Sequence, residues 1–419
     1  MNRPPILFYC QHLLGLGHRQ RAARLAAALA RGGERVLFVT GGLPGPTLDL
    51  CGAEEIALPP LTAADETAGT LALPDGRPPD DAYLASRRSQ LLGLLARFDP
   101  ALILLELYPF GRHALSFELA PLLLAVSQDR RRRGPAAPRV AVSLRDILVS
   151  KRNQAWFELA VLGVASRWVD RVLVHGSPEI IPLTRTFGLA DQLGDALVYT
   201  GYLAAPPPPA RRGARTGGVV VSGGGGRVAG PLYRAALAAR ALRPAAALLP
   251  WRIITGPYLP ESEHDQLVRR AAKLGEMGGR PAVQVERFRP DFPDLLRGAA
   301  LSVSQGGYNT VLDILGSGVR AVVVPYEGSG DEQPLRAGLL AERGLVRVVA
   351  EGDLSPRQLA GVMTEALIAR NFPAKVRLDL DGARRSVEIL AALVDQVAAA
   401  RQGRSARKGP ARRPQPERN

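Results

Sequence analysis

Leu301-Ser302-Val303-Ser304-Gln305-Gly306-Gly307-Tyr308-Asn309-Thr310-Val311-Leu312-Asp313-Ile314-Leu315 is the stretch that decides the fold. Residues 301–304 read as a buried strand and residues 305–310 as a loop and first helical turn. Val311, Leu312, Ile314 and Leu315 then give the helix a buried face. A strand that passes through glycines into a helix is half of a parallel βαβ unit. In open sheets built this way, ligands lie past the carboxyl ends of the strands. Glycine lets backbone N–H groups approach a phosphate there, and the helix N-terminus adds about half a positive charge. Ser304, Gly306, Gly307, Asn309 and Thr310 are the candidate phosphate-side residues. Asp313, one turn on, is expected on the exposed side of the helix, where its carboxylate accepts bonds from two ribose hydroxyls. Beyond the next strand, Glu332 and Gln333 are placed to hold sugar hydroxyls.

Outward from this unit the same alternation covers the chain. Strands are predicted near residues 218–222, 252–255, 282–285, 321–324 and 346–349, with helices between them. A helix over 231–241 opens on Pro231, where the missing N–H costs nothing. Upstream, strands near 6–9, 36–39, 101–105, 140–143 and 172–175 alternate with helical stretches, one of them near 83–98. The result is α/β: two Rossmann-like halves with parallel sheets. The boundaries are 1–203 for the first domain, a Pro/Arg-rich linker at 204–216, and 217–385 for the second domain. A helix at 386–400 and a basic tail at 401–419, expected to be disordered, complete the chain.

Two more glycine loops follow strands. Ser222-Gly223-Gly224-Gly225-Gly226 has more glycines than a turn needs, and close approach to a diphosphate explains them better. It lacks the Gly-Lys-Ser/Thr ending of a Walker loop. His12-Leu13-Leu14-Gly15-Leu16-Gly17-His18 resembles a dinucleotide fingerprint but puts Gln20 where the third glycine belongs, and Thr40-Gly41-Gly42 stands where an acidic residue belongs. What remains is a turn that presents His18 at a strand-to-helix switch. His18 is the first candidate general base, and Glu106, at the end of an apolar strand, is the second. Pairing of Glu106 with Arg112 or Arg145 is the structural alternative.

The net charge of +15 comes almost wholly from arginine, and residues 401–419 alone carry seven Lys or Arg against one Glu. No nucleic-acid-binding motif accompanies this charge. A second basic run, Arg130 to Arg133, is expected in a loop. Contact of the basic tail with anionic membrane is one use for such charge. Two cysteines make neither a disulfide framework nor a metal cluster. No apolar stretch reaches the ~18 residues of a spanning helix. A cytoplasmic protein, peripheral to the inner face of the plasma membrane at most, is expected.

At Ser304 to Asp313, continued by Gly318-Val319-Arg320-Ala321, Val323-Val324-Pro325 and Asp331-Glu332-Gln333, the sequence resembles the C-terminal domain of family 28 glycosyltransferases. His12 to His18, Glu106 with Pro109-Phe110-Gly111-Arg112, and Arg145-Asp146 also look like a group of bacterial predicted glycosyltransferases. The resemblance implies GT-B architecture: two facing Rossmann-like domains, with a last helix that crosses back to the first. It implies an inverting hexosyltransferase that uses a nucleoside-diphosphate sugar, a UDP-sugar first, with no metal and no cofactor. It places the donor nucleotide and diphosphate at Ser222, Gly223, Gly224, Gly225, Arg287, Phe288, Ser304, Gly306, Gly307, Asn309, Thr310 and Asp313. The donor sugar falls to Glu332 and Gln333, and the acceptor side to Gly15, Gly17, Arg112, Arg145 and Asp146. The acceptor is an unidentified hydroxyl, with a lipid-linked one among the options. A nucleotide-sugar 2-epimerase-like isomerase and a non-catalytic nucleotide-sugar-binding protein are the alternatives.

Overall fold

The computed structural model describes residues 3–13, 17–45, 47–65, 69–204, 217–328, 330–374 and 378–407. Five consecutive buried residues form β1 (Ile6–Cys10), and Ala22, Leu25, Ala26 and Leu29 on α1 (Gly17–Arg31) close over it. The sheet goes on through β2 (Val36–Thr40) and β3 (Glu54–Ala57). A small hairpin, β4 (Thr62–Ala63) with β5 (Leu71–Ala72), leads to α2 (Asp81–Phe98) and β6 (Leu102–Glu106). Next come α3 (Ser116–Arg133), β7 (Arg139–Arg145), α4 (Gln154–Trp168), β8 (Arg171–His175) and β9 (Leu197–Tyr199). The seven sheet strands run in the order β3-β2-β1-β6-β7-β8-β9, and every pairing is parallel.

The second domain repeats this plan. Its elements are β10 (Val219–Ser222), α5 (Gly230–Ala241), β11 (Trp251–Ile254), α6 (Glu261–Ala272), a hairpin of β12 (Glu276–Met277) with β13 (Arg280–Pro281), β14 (Val283–Glu286) and α7 (Phe292–Gly298). They continue with β15 (Leu301–Ser304), α8 (Tyr308–Ser317), β16 (Ala321–Val323), α9 (Glu332–Glu342), β17 (Arg347–Val348) and α10 (Pro356–Ile368). The sheet order is β14-β11-β10-β15-β16-β17, again all parallel. In both sheets the order reverses beside the first strand, which makes a crevice at the carboxyl ends of β1 and β6 and of β10 and β15. Pro231 lies in the first turn of α5, as expected.

The chain then crosses back. Leu390, Leu393, Val394 and Val397 of α11 (Gly382–Arg407) pack against Ile6, Phe8, Leu25 and Phe38 of the first domain.

The last helix begins at Gly382 and runs on through residues 401–407, seven residues into the stretch expected to be an unstructured tail. Arg401 and Arg404 bond the carbonyls of Ala136, Asp99 and Arg133, which anchors that extra length. Residues 408–419, and residues 205–216 of the linker, lie outside the described residues. Arg130 to Arg133 form the last turn of α3 rather than a loop, and Arg130 and Arg133 are engaged with Asp170, Asp129 and Asp99. Among the described residues no helix is long and apolar enough to cross a membrane.

Candidate functional site

The carboxyl ends of β6, β7 and β8 carry Glu106, Ser143 and His175, and register sets Glu106 beside Ser143. After Glu106 the chain turns sharply, with Leu107 at φ 71° and Arg112 at φ 61°. Non-glycine residues hold such angles only when their surroundings fix them, often at functional sites. Glu106 is fully buried, and three side chains reach it. Its Oε1 lies 2.6 Å from His18 Nδ1 and also accepts a short bond from Arg21, while Oε2 accepts from the Ser143 hydroxyl at 3.3 Å. Burial alone would raise the Glu106 carboxyl, but Arg21 and His18 hold it below the usual carboxylate range.

His18 is thus tied to the charged form of Glu106. Burial, reinforced by Arg112 and Arg145, pushes the imidazole down to about 3 against the pull of Glu106, so the ring is neutral at pH 7. A neutral ring that donates through Nδ1 to a carboxylate leaves its Nε2 lone pair free to accept a proton. Glu106 therefore orients His18 and does not compete with it. The expected partners Arg112 and Arg145 act on Glu106 or His18 only through their charge, and the direct partner is Arg21.

Across the cleft, α8 starts at Tyr308. Asn309 Nδ2 donates to the carbonyl of Gly17 at 3.1 Å, which joins the start of α8 to the start of α1. Gly15 lies outside the described residues. Ser222 and Ser304 are register neighbours on β10 and β15, and their shielded hydroxyls have no hydrogen-bond partner among the described residues. A Cβ on Gly224 would sit 3.6 Å from Thr310 Oγ1, so the two glycine loops meet.

The four-glycine loop has a larger structural role than its sequence indicates. A Cβ on Gly223 would lie 2.1 Å from Ala229 Cβ, one on Gly226 would lie 1.9 Å from the Thr255 carbonyl, and Gly224 has φ 59°. Gly225 and Gly307 meet no such crowding. Arg287 bonds the Leu259 carbonyl at 3.0 Å and pairs with Glu261, and Phe288 beside it is exposed.

Asp313 is not on an exposed face. Its side chain is 10% exposed and turns toward α1, 3.6 Å from Arg24. Burial raises its pKa against the opposing charge of Arg24. Glu332 and Gln333 are also engaged. Both Glu332 oxygens lie 2.8–2.9 Å from Arg145, Arg336 donates to one of them at 2.9 Å, and Gln333 Oε1 accepts from the Tyr326 N–H at 3.1 Å. Burial would raise the Glu332 carboxyl, but Arg145 and Arg336 lower it. Asp146, expected on the acceptor side with Arg145, accepts two bonds from Arg336, at 2.7 and 3.0 Å. These two residues therefore join the domains. Arg21, Arg24, Ser143, His175, Tyr308 and Arg336 were missed by the sequence reading. Only Arg21 and Arg336 carried a signal, one turn from His18 and Glu332 on their helices.

Residues 219–379 match the glycosyltransferase family 28 C-terminal domain. A UDP-N-acetylglucosamine–N-acetylmuramyl-(pentapeptide) pyrophosphoryl-undecaprenol N-acetylglucosamine transferase of Rhizobium leguminosarum bv. trifolii is 33% identical over 136 residues, 31% of this chain and 34% of that one. The chain thus matches about a third of the length of such relatives. An uncharacterized glycosyltransferase of Methanosarcina acetivorans is 24% identical over 355 residues, 82% of this chain and 85% of that one. The solved calicheamicin glycosyltransferase CalG4 superposes with a TM-score of 0.56 at 18% identity, over 98% of this chain and 100% of that one. MurG of Acinetobacter baumannii gives 0.53 at 16%, over 92% and 99%. The chain shares the two-domain GT-B fold of these glycosyltransferases, and its residues 219–379 match the glycosyltransferase family 28 C-terminal domain.

Proposed function

We propose that this protein is a glycosyltransferase that moves a sugar from a nucleoside diphosphate to an acceptor hydroxyl, with inversion and with His18 as the base. The observation that carries the reading is the buried His18–Glu106 pair, which faces the N-terminus of α8 across a cleft closed by the Asn309–Gly17 bond. Backbone N–H groups from Gly306 to Asn309 and the Ser222 and Ser304 hydroxyls take the diphosphate, and Asp313 takes the ribose. Helix N-termini and arginines stabilise the leaving group, and the transfer needs no metal. The diphosphate also brings negative charge near Arg112 and Arg145. That charge offsets the two arginines and raises His18 toward the range where imidazole accepts a proton at neutral pH. The UDP-N-acetylglucosamine in the relatives' names supports a uridine nucleotide.

On the acceptor side, the Arg112 guanidinium has no hydrogen-bond or ion-pair partner among the described residues, and its Nε is shielded. Burial lowers its pKa, with the charge of Arg145 adding to the effect. An acceptor that carries a phosphate or carboxylate, as a lipid-linked acceptor does, supplies the missing anion.

The test is a thermal-shift series with uridine, thymidine, guanosine and adenosine diphosphates and their sugars, on wild type and Asp313→Ala. A ligand at 100 times its dissociation constant stabilises by ~2.7 kcal/mol. One nucleotide should shift the wild type and not the variant. No shift from any of them removes the reading.

A further inference from the structure

Tyr308 is the first residue of α8 and is 7% exposed. Its ring lies between two guanidiniums from different domains. Arg21 of α1 is 5.4 Å from the ring centroid and Arg336 of α9 is 5.5 Å from it. Its hydroxyl donates to the His175 carbonyl at 2.7 Å. A side chain from the second domain is thus seated among the carboxyl ends of the first domain's strands.

Both supports of Glu106 lead back to this ring. Arg21, stacked on Tyr308, bonds the Glu106 oxygen that also meets His18. Ser143, which donates to the other oxygen, lies 2.9 Å from His175 Nε2, and the carbonyl of that same histidine takes the Tyr308 hydroxyl. Thr200 Oγ1 fixes the far side of the His175 ring at 2.9 Å from Nδ1. The ring faces are negative and hold two cations that would otherwise repel each other. Leucine would leave both guanidiniums without that surface. Phenylalanine would keep it but remove the hydroxyl that donates to the His175 carbonyl.

We propose that Tyr308 is a positioning residue that couples the placement of the donor-side helix α8 to the orientation of the His18–Glu106 pair. The residues next to Tyr308 in sequence, Gly306, Gly307 and Asn309, are those assigned to the diphosphate. A shift of the helix start to receive a donor therefore moves Arg21, and with it Glu106 and the base. The coupling rests on the transferase reading for its catalytic meaning, but the geometry exists without it.

The experiment uses the full chain with histidines labelled at 13Cε1, in wild type, Tyr308→Phe and Tyr308→Leu. The five histidines are few enough to assign His18 by His18→Gln. The groups whose charge acts on His18 are Glu106, Arg112, Arg145 and Glu332, and all are kept in these variants. Tyr308→Leu should move the His18 titration further down, because Glu106, the group that pulls it up, is the one displaced. It should also lower kcat by about 100-fold, the effect of a ~1 Å misplacement, with donor KM little changed. Tyr308→Phe should move both in the same direction by less, and it decides the matter if the leucine variant does not fold. An unmoved His18 titration overturns the coupling, whether kcat holds or falls, because a fall would then act through the donor alone. A moved titration in a protein that transfers no sugar supports the coupling and removes the transferase reading.

Discussion

Arg336 of the second domain holds Asp146 of the first through two buried bonds, and the same guanidinium also donates to Glu332 and to the Gly306 carbonyl. Both side chains are at most 2% exposed. Loss of one partner leaves a buried charge uncompensated, which costs about 3–5 kcal/mol. Arg336→Met should therefore lower the unfolding free energy by an amount of that size, read as a fall in the urea midpoint at unchanged m-value. The double variant Arg336→Met with Asp146→Leu should recover part of the loss. A midpoint equal to wild type in the single variant would show that the pair does not hold the domains together.

His18 and His175 are each pushed down to about 3, in both cases first by burial. The unfolded chain protonates its histidines near 6.5. A depressed folded value gives stability that is present above 6.5 and is lost as pH falls toward 3. Each ring should then remove about 2 kcal/mol of stability between pH 7 and pH 5. Glu106, also depressed, adds to the loss only at lower pH. Urea midpoints at pH 7, 6 and 5 check the effect, and His18→Gln should flatten the profile by one histidine's share. An unchanged profile in that variant would mean that His18 titrates in the folded protein as it does in the unfolded chain.

The two roles in the His18–Glu106 pair separate in kinetics. If His18 is the base proposed above, His18→Ala should lower kcat by roughly 100- to 10,000-fold. Its nucleotide thermal shift should match wild type, since among the described residues the His18 side chain is hydrogen-bonded to Glu106 and not to a diphosphate-side residue. Glu106→Gln keeps His18 but loses the acceptor that fixes its Nδ1 proton and leaves Arg21 without its anion. It should lower kcat less than His18→Ala and lower thermal stability more. A nucleotide shift abolished by His18→Ala would place that residue at the donor instead.

Both sheets were legible because their strands are short apolar runs between helical periodicities, as in 301–304 and 102–105. β3 was not, because Glu54-Glu55-Ile56-Ala57 is an edge strand with little buried surface and so no apolar pattern. The extra turns of α11 read as a basic tail because Arg401 and Arg404 look solvated in sequence. Carbonyls distant in the chain hold them. At the site, His18 and Glu106 were each visible beside a strand end, but the bond between them is set by the β1–β6 pairing and by the turn into α1. Asp313 was assigned to an exposed face by helical periodicity within α8 alone. The helix α1 that covers that face belongs to the other domain, and periodicity carries no information about it.

Two glycine substitutions separate packing from ligand approach. Gly226→Ala puts a methyl 1.9 Å from the Thr255 carbonyl at a residue with φ 88°, so the loop must shift. Its cost should reach the 1–3 kcal/mol typical of overpacking and should appear without any ligand. Gly307 has φ −63°, and a Cβ there meets nothing within 4 Å, so Gly307→Ala should melt within about a degree of wild type, as an unstrained surface change does. A nucleoside diphosphate on the N–H groups at the start of α8 would meet the new methyl, and its thermal shift should fall. If Gly307→Ala binds nucleotide as wild type does, the diphosphate does not lie against the start of α8. The Ser222–Gly226 loop is then the better place to look, because Gly225 is its one glycine that packing alone leaves unexplained.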